Sequence, residues 1–384
     1  MHQQAVANRR RVCEAALEMM RIAYDHQIFS GQAYGGVSRY FFEVANRIRK
    51  FEGYDVSVLS PLYVNKYLTS EPLLKVWGMN VNQLPRPRRI TQMLNGELVR
   101  WKLHQVQPDI VHETYYLNRK LAPHKSKIVL TVYDMIQEKF PQFFPPHDKT
   151  SQLKKAAVDR ADHIVCISEN TREDLIDVLG VARERTSVTH LAYSPSLRGT
   201  EPLVRVIDRP YIAYVGTRGG YKNFSGLIEA LAVSTFLRTN FAIVCFGGGE
   251  FTTKEREEMA DAGLVADQVV LMKGADEVLE SVYRGAAAFV YPSLYEGFGL
   301  PPLEAMSADC PVVCSRTSSL PEVCGDAAEY FDPTQPESIA SAIERAVASN
   351  ERRQELVAFG RLQSRKFSWD QCARQTAAIY ERLL

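Results

Sequence analysis

The chain has 384 residues, of which 46% are hydrophobic, 24% charged and 10% aromatic, a composition that fits two soluble globular domains and excludes disorder, collagen and coiled coil. Its net charge of +1 hides two unlike halves: residues 1–200 hold 28 Lys/Arg against 20 Asp/Glu, and residues 201–384 hold 18 against 25. No apolar run reaches the length of a spanning helix, and no basic run has the aromatic interleaving of a nucleic-acid footprint, so nucleic acid is not an expected partner.

Residues 1–20 read as a polar, Arg-rich N-terminal extension without the apolar core of a signal peptide. A cytoplasmic protein is expected, and its basic front half suits an anionic ligand or peripheral contact with the inner face of an anionic membrane. The seven cysteines, at 13, 166, 245, 310, 314, 324 and 372, are scattered without a CxxC pair; they are expected to be reduced thiols, and no metal site is expected.

From residue 21 onward, short β-branched or aromatic runs alternate with amphipathic stretches, the pattern of parallel sheets covered by helices. Strands are predicted at RIAYDHQIF (21), YDVSVLS (54), DIVHETYY (109), KIVLTVYDMI (127), HIVCISE (163) and TSVTHLAY (186). Helices are predicted in SRYFFEVANRIRK from Ser38 and EDLIDVLG from Glu173. The Pro-bearing stretch 194–210 is the expected domain boundary. After it the alternation restarts, with strands predicted at YIAYVGT (211), NFAIVCFGGG (240), VVLMKG (269), AAAFVYPSL (286), PVVCSRTS (311) and AEYFDP (328). Helices are predicted in SGLIEALAVSTFL and SIASAIERAVASN. The predicted fold class is therefore α/β, with two Rossmann-like doubly wound domains facing a central cleft. Ligands of such sheets bind beyond the carboxyl ends of the strands, which is where chemistry is to be sought.

The densest motif is YPSLYEGFGLPPLEAMSADCPVV at 291–313. Gly297, Gly299, Pro301 and Pro302 keep Glu296 off the helix that carries Glu304, so one carboxylate stands in a loop and the other on a helix. The glycines let backbone N–H groups approach a ligand, and the helix start turns its positive end toward an anion. In VGTRGGYKN, Gly216 ends a strand, and Arg218 and Lys222 follow it at the place for cations facing a phosphate. Gly35 and Gly36 form a tight loop before the SRYFFEVANRI helix. Tyr133 and Asp134 end one strand; His112 ends another and is either a ligand contact or a satisfied core histidine. Ser168 or Asn170 is the expected N-cap of the next helix, with Glu173 resembling a capping box. Arg86, Arg88 and Arg89 in LPRPRRI are either a solvated loop or a contact for anionic lipid or phosphate.

The string EGFGLPPLE is similar to the E-x7-E motif of retaining glycosyltransferases of the two-Rossmann GT-B type, family GT4. The resemblance extends over GGVSRYF (35–41), VHETYY (111–116), DRADHIVCISENTREDL (159–175), VGTRGGYKN (215–223), FGGGE (246–250) and SSLPEVCGDAAEYFDP (318–333), and so covers residues 21 to about 384. It implies an N-terminal acceptor domain over 21–200, joined by a C-terminal helix at about 370–384, and a donor domain over 201–369. It also implies transfer of a hexose from GDP-mannose or a UDP-hexose to a glycan or lipid-linked glycan in cell-surface polysaccharide synthesis.

By the same resemblance Glu304 contacts the ribose, while Glu296 with Phe298, Gly299 and Leu300 orients the sugar. Gly35, Gly36 and Gly216 approach the donor, and Arg218 and Lys222 hold its diphosphate, although Thr217 stands where the commoner pattern has Arg directly after glycine. Tyr133 occupies a position that is often histidine, so Asp134 becomes the candidate catalytic carboxylate there, and His112 and Tyr133 become candidate acceptor or sugar contacts. No cofactor is expected beyond the nucleotide sugar substrate, and without a DxD triplet no metal. An epimerase, a sugar phosphorylase or a non-catalytic nucleotide-sugar binder on the same scaffold are the alternatives.

Overall fold

In a computed structural model of the chain, residues 19–71, 73–193, 206–265 and 267–384 are described. The first sheet has seven strands: β1 (Met20–Tyr24), β2 (Tyr54–Tyr63), β3 (Lys75–Asn80), β4 (Ile110–Glu113), β5 (Lys127–Val132), β6 (His163–Cys166) and β7 (Thr186–Val188). Their order is β3-β2-β1-β4-β5-β6-β7, and every pairing is parallel. The second sheet comprises β8 (Tyr211–Val215), β9 (Ala242–Phe246), β10 (Val269–Met272), β11 (Ala288–Tyr291), β12 (Val312–Ser315) and β13 (Ala328–Phe331). Its order is β10-β9-β8-β11-β12-β13, again all parallel. In both sheets the strand order reverses beside the first strand of the domain, between β1 and β4 and between β8 and β11, which opens a crevice at the carboxyl ends there.

The central strands are buried on both faces. Val111 and Ile110, Val129 and Leu130, and Phe289 and Val290 are each essentially inaccessible, as expected where helices cover both sides of a parallel sheet. The helix Gly36–Ile48 turns Tyr40, Phe41, Val44, Ala45 and Ile48 inward, a helical repeat that packs one stripe on the core.

The final helix, Trp369–Leu383, belongs to the first domain by its contacts. Tyr380 Oη lies 2.9 Å from Tyr24 Oη, Arg47 Nε donates to Asp370 at 2.6 Å, and Tyr54 donates to Glu381 at 2.5 Å. The chain therefore leaves the N-terminal domain, builds the second sheet and returns.

The structure departs from the predicted elements in several places; the predicted helix SGLIEALAVSTFL, for one, is broken at Ser234, which caps a second helix, Thr235–Asn240. The first predicted strand stops at Tyr24, because Asp25 turns its carboxylate onto the N–H of Thr114 and of Gln27, and Gln27–Gly31 form a short helix instead. The edge strand β3 and the long helix Arg88–Val106 were not predicted. Ser168 is the N-cap, its Oγ accepting from Thr171 N, whereas Glu173 pairs with Arg183. Cys166, Cys245, Cys310, Cys314, Cys324 and Cys372 are buried free thiols. Cys13, nearly all of the N-terminal extension and residues 194–205 of the boundary stretch lie outside the described residues.

Candidate active site

The cleft is built by four segments: the loop after β1, the end of β5, the turn after β8 and the loop after β11. After β8 the chain passes Gly216 and closes a 3₁₀ turn over Gly220–Lys222. Asn223 pins that turn to the next loops, donating to the carbonyls of Pro292 at 3.1 Å and Pro333 at 2.8 Å. Leu294 N donates to Tyr221 O at 2.8 Å. The result aims Lys222 at the loop after β11, where its Nζ donates to Glu296 Oε1 at 2.7 Å and to Tyr291 Oη at 3.2 Å. An ammonium carries three N–H bonds, so one remains for a ligand.

The Glu296–Leu300 loop is held from both domains. Glu296 N donates to Ser318 Oγ at 2.8 Å, and Ser319 Oγ donates to the carbonyls of Glu296 and Phe298. From the N-terminal domain, Ser168 Oγ donates to Gly297 O at 2.7 Å. Gly297 is packed so closely on the Tyr133 carbonyl and Asp134 that a Cβ would overlap both, so any larger residue would push the domains apart. Gly299, at φ 113°, reverses the chain into the helix Leu300–Ser307, with proline in its first turn, where a missing N–H costs nothing.

Glu304 projects from that helix, half-buried, with Tyr283 Oη donating to its Oε2 at 3.4 Å. Burial pushes its carboxyl above the usual range; the Arg39 charge opposes this and Asp276 adds to it. Arg39 lies on the helix that follows Gly35 and Gly36, and a Cβ on Gly36 would stand 3.6 Å from Leu300. The loop after β1 thus meets the start of the helix Leu300–Ser307.

Asp134 faces the same space from β5. Its carboxyl is also pushed up, chiefly by burial, with Lys154 and the Ile136 N–H opposing and the charges of Glu138 and Glu296 adding. Lys154 is buried behind it, donating to Asp134 O at 2.8 Å and to Glu138 Oε2 at 2.7 Å.

Glu296, Lys222, Asp134, Gly297, Leu300 and Glu304 therefore lie around one cleft, with Gly36 at its edge, and Phe298 brings only its backbone there because its ring is buried against His190 and Phe367. Three predicted contacts do not join them. Arg218 is buried, and its guanidinium is spent on Glu255 at 2.7 Å and on the carbonyls of Gly247 at 3.0 Å, Gly249 at 2.9 Å and Glu250 at 3.0 Å. It staples the FGGGE loop rather than presenting a free cation beside Gly216. His112 is a core residue: Nδ1 lies 2.6 Å from Tyr380 Oη and Nε2 2.8 Å from Thr131 Oγ1, and burial lowers its pKa to about 3. Tyr133 is buried too, its phenol donating inward to Thr114 O at 2.9 Å; what it turns to the cleft is its carbonyl. Conversely, Tyr291, Ser318 and Ser319 hold the loop and were not singled out, although SSLPEV lay in a recognised block.

Two parallel α/β domains meeting over this cleft define the GT-B class of glycosyltransferase. The chain belongs to glycosyltransferase family 4, a hexosyltransferase whose residues 34–196 match the description Glycosyltransferase Family 4 and whose residues 201–363 match Glycosyl transferases group 1. It is 30% identical over 331 residues to the O-antigen chain mannosyltransferase B of Escherichia coli, covering 83% of this chain and 82% of that one. It is 28% identical over 214 residues to the O-antigen chain mannosyltransferase RfbU of Salmonella typhimurium, covering 56% and 59%. Among solved structures it is similar in fold to the sucrose-phosphate synthase of Thermosynechococcus elongatus, with a TM-score of 0.72 at 19% identity over 95% of this chain and 99% of that one. The Anabaena HepE in complex with UDP-glucose gives 0.71 at 17% identity over 94% and 100%.

Proposed function

We propose that the protein is a retaining mannosyltransferase that moves mannose from GDP-mannose to a hydroxyl of a glycan or lipid-linked glycan during cell-surface polysaccharide synthesis. The observation that carries the reading is the Lys222–Glu296 pair, held at 2.7 Å in a cleft that Asp134 shares. The choice of mannose rests on the relatives named mannosyltransferases in Escherichia coli and Salmonella typhimurium. The complex of HepE with UDP-glucose supports a UDP-hexose as the second reading.

In this scheme Glu304 accepts hydrogen bonds from the ribose, and Lys222 turns its third N–H to the diphosphate. As the bond from the anomeric carbon to the phosphate oxygen breaks, negative charge grows on that oxygen beside the ammonium, which stabilises the transition state more than the ground state. The acceptor oxygen bonds the anomeric carbon on the same face, and its proton passes to the departing diphosphate. Glu296 and the backbone of Phe298 and Gly299 orient the sugar, and Gly35, Gly36 and Gly216 leave room for the donor. The diphosphate's charge is met by Lys222 and by a helix N-terminus, so no metal is needed. The acceptor side works at the inner face of the membrane.

Incubating the protein with a panel of nucleotide sugars and an acceptor extract tests this. Release of GDP from GDP-mannose with mannosylated product is the expected result. Release from a UDP-hexose alone moves the reading to the second donor. Epimer or sugar phosphate in place of a transferred sugar overturns it.

A further inference from the structure

The helix Arg88–Val106 is amphipathic in the wrong sense for a helix that only supports a core. Its inward face carries Thr91, Asn95, Gly96, Val99 and Leu103. Ile90, Met93, Leu94, Leu98 and Trp101 point outward, 45–57% exposed. Their spacing of three and four residues places them in one stripe along the outer side. Glu97 falls in that stripe, but Arg119 pairs with it, reaching it across Gly96, where a Cβ would strike the guanidinium. The single carboxylate of the stripe is thus neutralised.

The apolar surface continues onto the neighbouring sheet edge. Trp77 on β3 lies 6.3 Å from Trp101, ring centre to ring centre, under the Lys102 ammonium. Met79, on the same face of β3 two residues on, is 61% exposed. Arg86, Arg88, Arg89, Arg100 and Lys102 surround the stripe, against Glu97 as the one acidic residue between 84 and 106.

We propose that this face of the N-terminal domain docks on an anionic membrane surface, with the helix lying in the plane of the headgroups. The proposal deepens the lipid-linked acceptor reading above and rests on it for its purpose. Aliphatic side chains and tryptophan flanked by arginine and lysine match an interface that is apolar below and negative above. The cations around the stripe, Arg86, Arg88, Arg89, Arg100 and Lys102 against the single Glu97, meet phosphate rather than a second copy of the same basic face.

The fold links this face to the cleft. Asn95, on the inner side of the helix, donates to Leu62 O at 2.9 Å and to Ser30 Oγ at 3.1 Å, and Ser30 lies in the segment that leads to Gly35 and Gly36. Docking would bring the acceptor side of the cleft toward the bilayer while the donor enters from water.

The test is flotation of the full-length protein with vesicles of phosphatidylcholine alone or mixed with phosphatidylglycerol. The protein is expected to float with the mixed vesicles and to be released by salt. A Leu94→Gln, Leu98→Gln, Trp101→Ser variant should bind at least about tenfold less, because each removed side chain takes its own apolar contact with it. An Arg86→Gln, Arg88→Gln, Arg89→Gln variant should lose the preference for the anionic lipid. Both variants alter exposed side chains and should keep the wild-type thermal transition and nucleotide-sugar turnover. Wild-type protein that stays in the aqueous phase with both vesicles, or a stripe variant that floats as well as wild type, overturns the proposal. So does a concentration-dependent dimer that the stripe variant dissolves in the absence of vesicle binding. Because flotation needs no donor, loss of docking with intact sugar transfer leaves the enzymatic reading standing.

Discussion

Glu322 of the C-terminal domain caps a helix of the other domain: its carboxylate accepts from the backbone N–H of Glu169 at 2.8 Å and of Asn170 at 3.2 Å. His190 Nε2 stands 2.7 Å from the same carboxylate. A negative side chain at a helix N-terminus meets both these backbone donors and the helix dipole, so these residues form a latch across the two domains, at the same helix N-terminus as the Ser168 that holds Gly297.

Burial alone would raise the Glu322 carboxyl, but His190 and the two backbone N–H groups outweigh it and hold it below the usual glutamate range. A carboxylate lowered in the folded state stabilises above its unfolded pKa and loses that contribution as pH falls through its folded value. Glu322→Gln should therefore lower stability at pH 7 by about 1.5–3 kcal/mol, the cost of charge-assisted hydrogen bonds. The gap to wild type should close as pH drops below about 4.5, the ordinary glutamate value. Thermal unfolding of both proteins between pH 3 and pH 7 reads it. A gap that stays constant over this range would show that the charge contributes nothing.

Lys222→Ala should lower kcat by about 10²-fold or more while changing donor KM less, as for removal of one preorganised electrostatic donor. Lys222→Arg should rescue partly, since a planar guanidinium restores charge but not the compact fit beside Glu296. Steady-state kinetics on folded variants decides, and unaltered kcat and KM would make Lys222 ordinary surface.

Arg218→Ala should act on stability before chemistry. It strips hydrogen bonds from the carbonyls of Gly247, Gly249 and Glu250 and leaves Glu255 with Thr252 but without its cation, a loss of about 3–5 kcal/mol for breaking a buried pair. Arg218→Lys should recover little, because one ammonium cannot span the sites of a guanidinium fork. Urea unfolding measures both; a stable Arg218→Ala protein with depressed kcat would return Arg218 to the diphosphate.

Glu304→Ala should weaken binding of the free nucleotide diphosphate by about 1–3 kcal/mol. Burial raises this carboxyl, so wild-type affinity should fall on acidification at a pH above the ordinary glutamate range, as the ribose acceptor becomes protonated. Glu304→Gln should lack that step. Calorimetric titration across pH shows it, and a pH-independent wild type would point to Glu296 as the ribose contact.

Sugar transfer should survive excess chelator, because in the proposed scheme Lys222 and a helix start balance the charge of the diphosphate. Activity lost to chelator and restored by Mg²⁺ or Mn²⁺ would falsify this.

All six strands of the C-terminal domain were legible, because each is a short, mostly apolar run ended by glycine, proline or a polar residue, as in AIVCF before Gly247 and AFVY before Pro292. The long helix Arg88–Val106 was not, and the reason is physical: its apolar residues face outward and its inner face carries Thr91 and Asn95, which inverts the pattern that marks a core-facing helix. Strand β3 hid behind Gly78 in its middle and its place at the sheet edge. At the site, motif spacing placed Glu296 and Lys222 within reach of each other, whereas it could not show that Arg218 and His112 turn to partners elsewhere. Spacing shows that a side chain starts near a cleft, but which carbonyl or hydroxyl claims its donors depends on residues such as Glu255 and Tyr380, far away in sequence.

The return of the last helix to the first domain makes the second domain an insertion. Tyr193, where the chain departs, and Phe367, Ser368 and Trp369, where it comes back, line one cavity beside Arg47. Departure and return therefore share a single seam, and the contacts that tie the two domains together away from it include the Glu322 latch and the Ser168–Gly297 hydrogen bond. A domain joined in this way is an insertion whose two ends are anchored at one place, so both crossings of the chain meet beside the helix Trp369–Leu383.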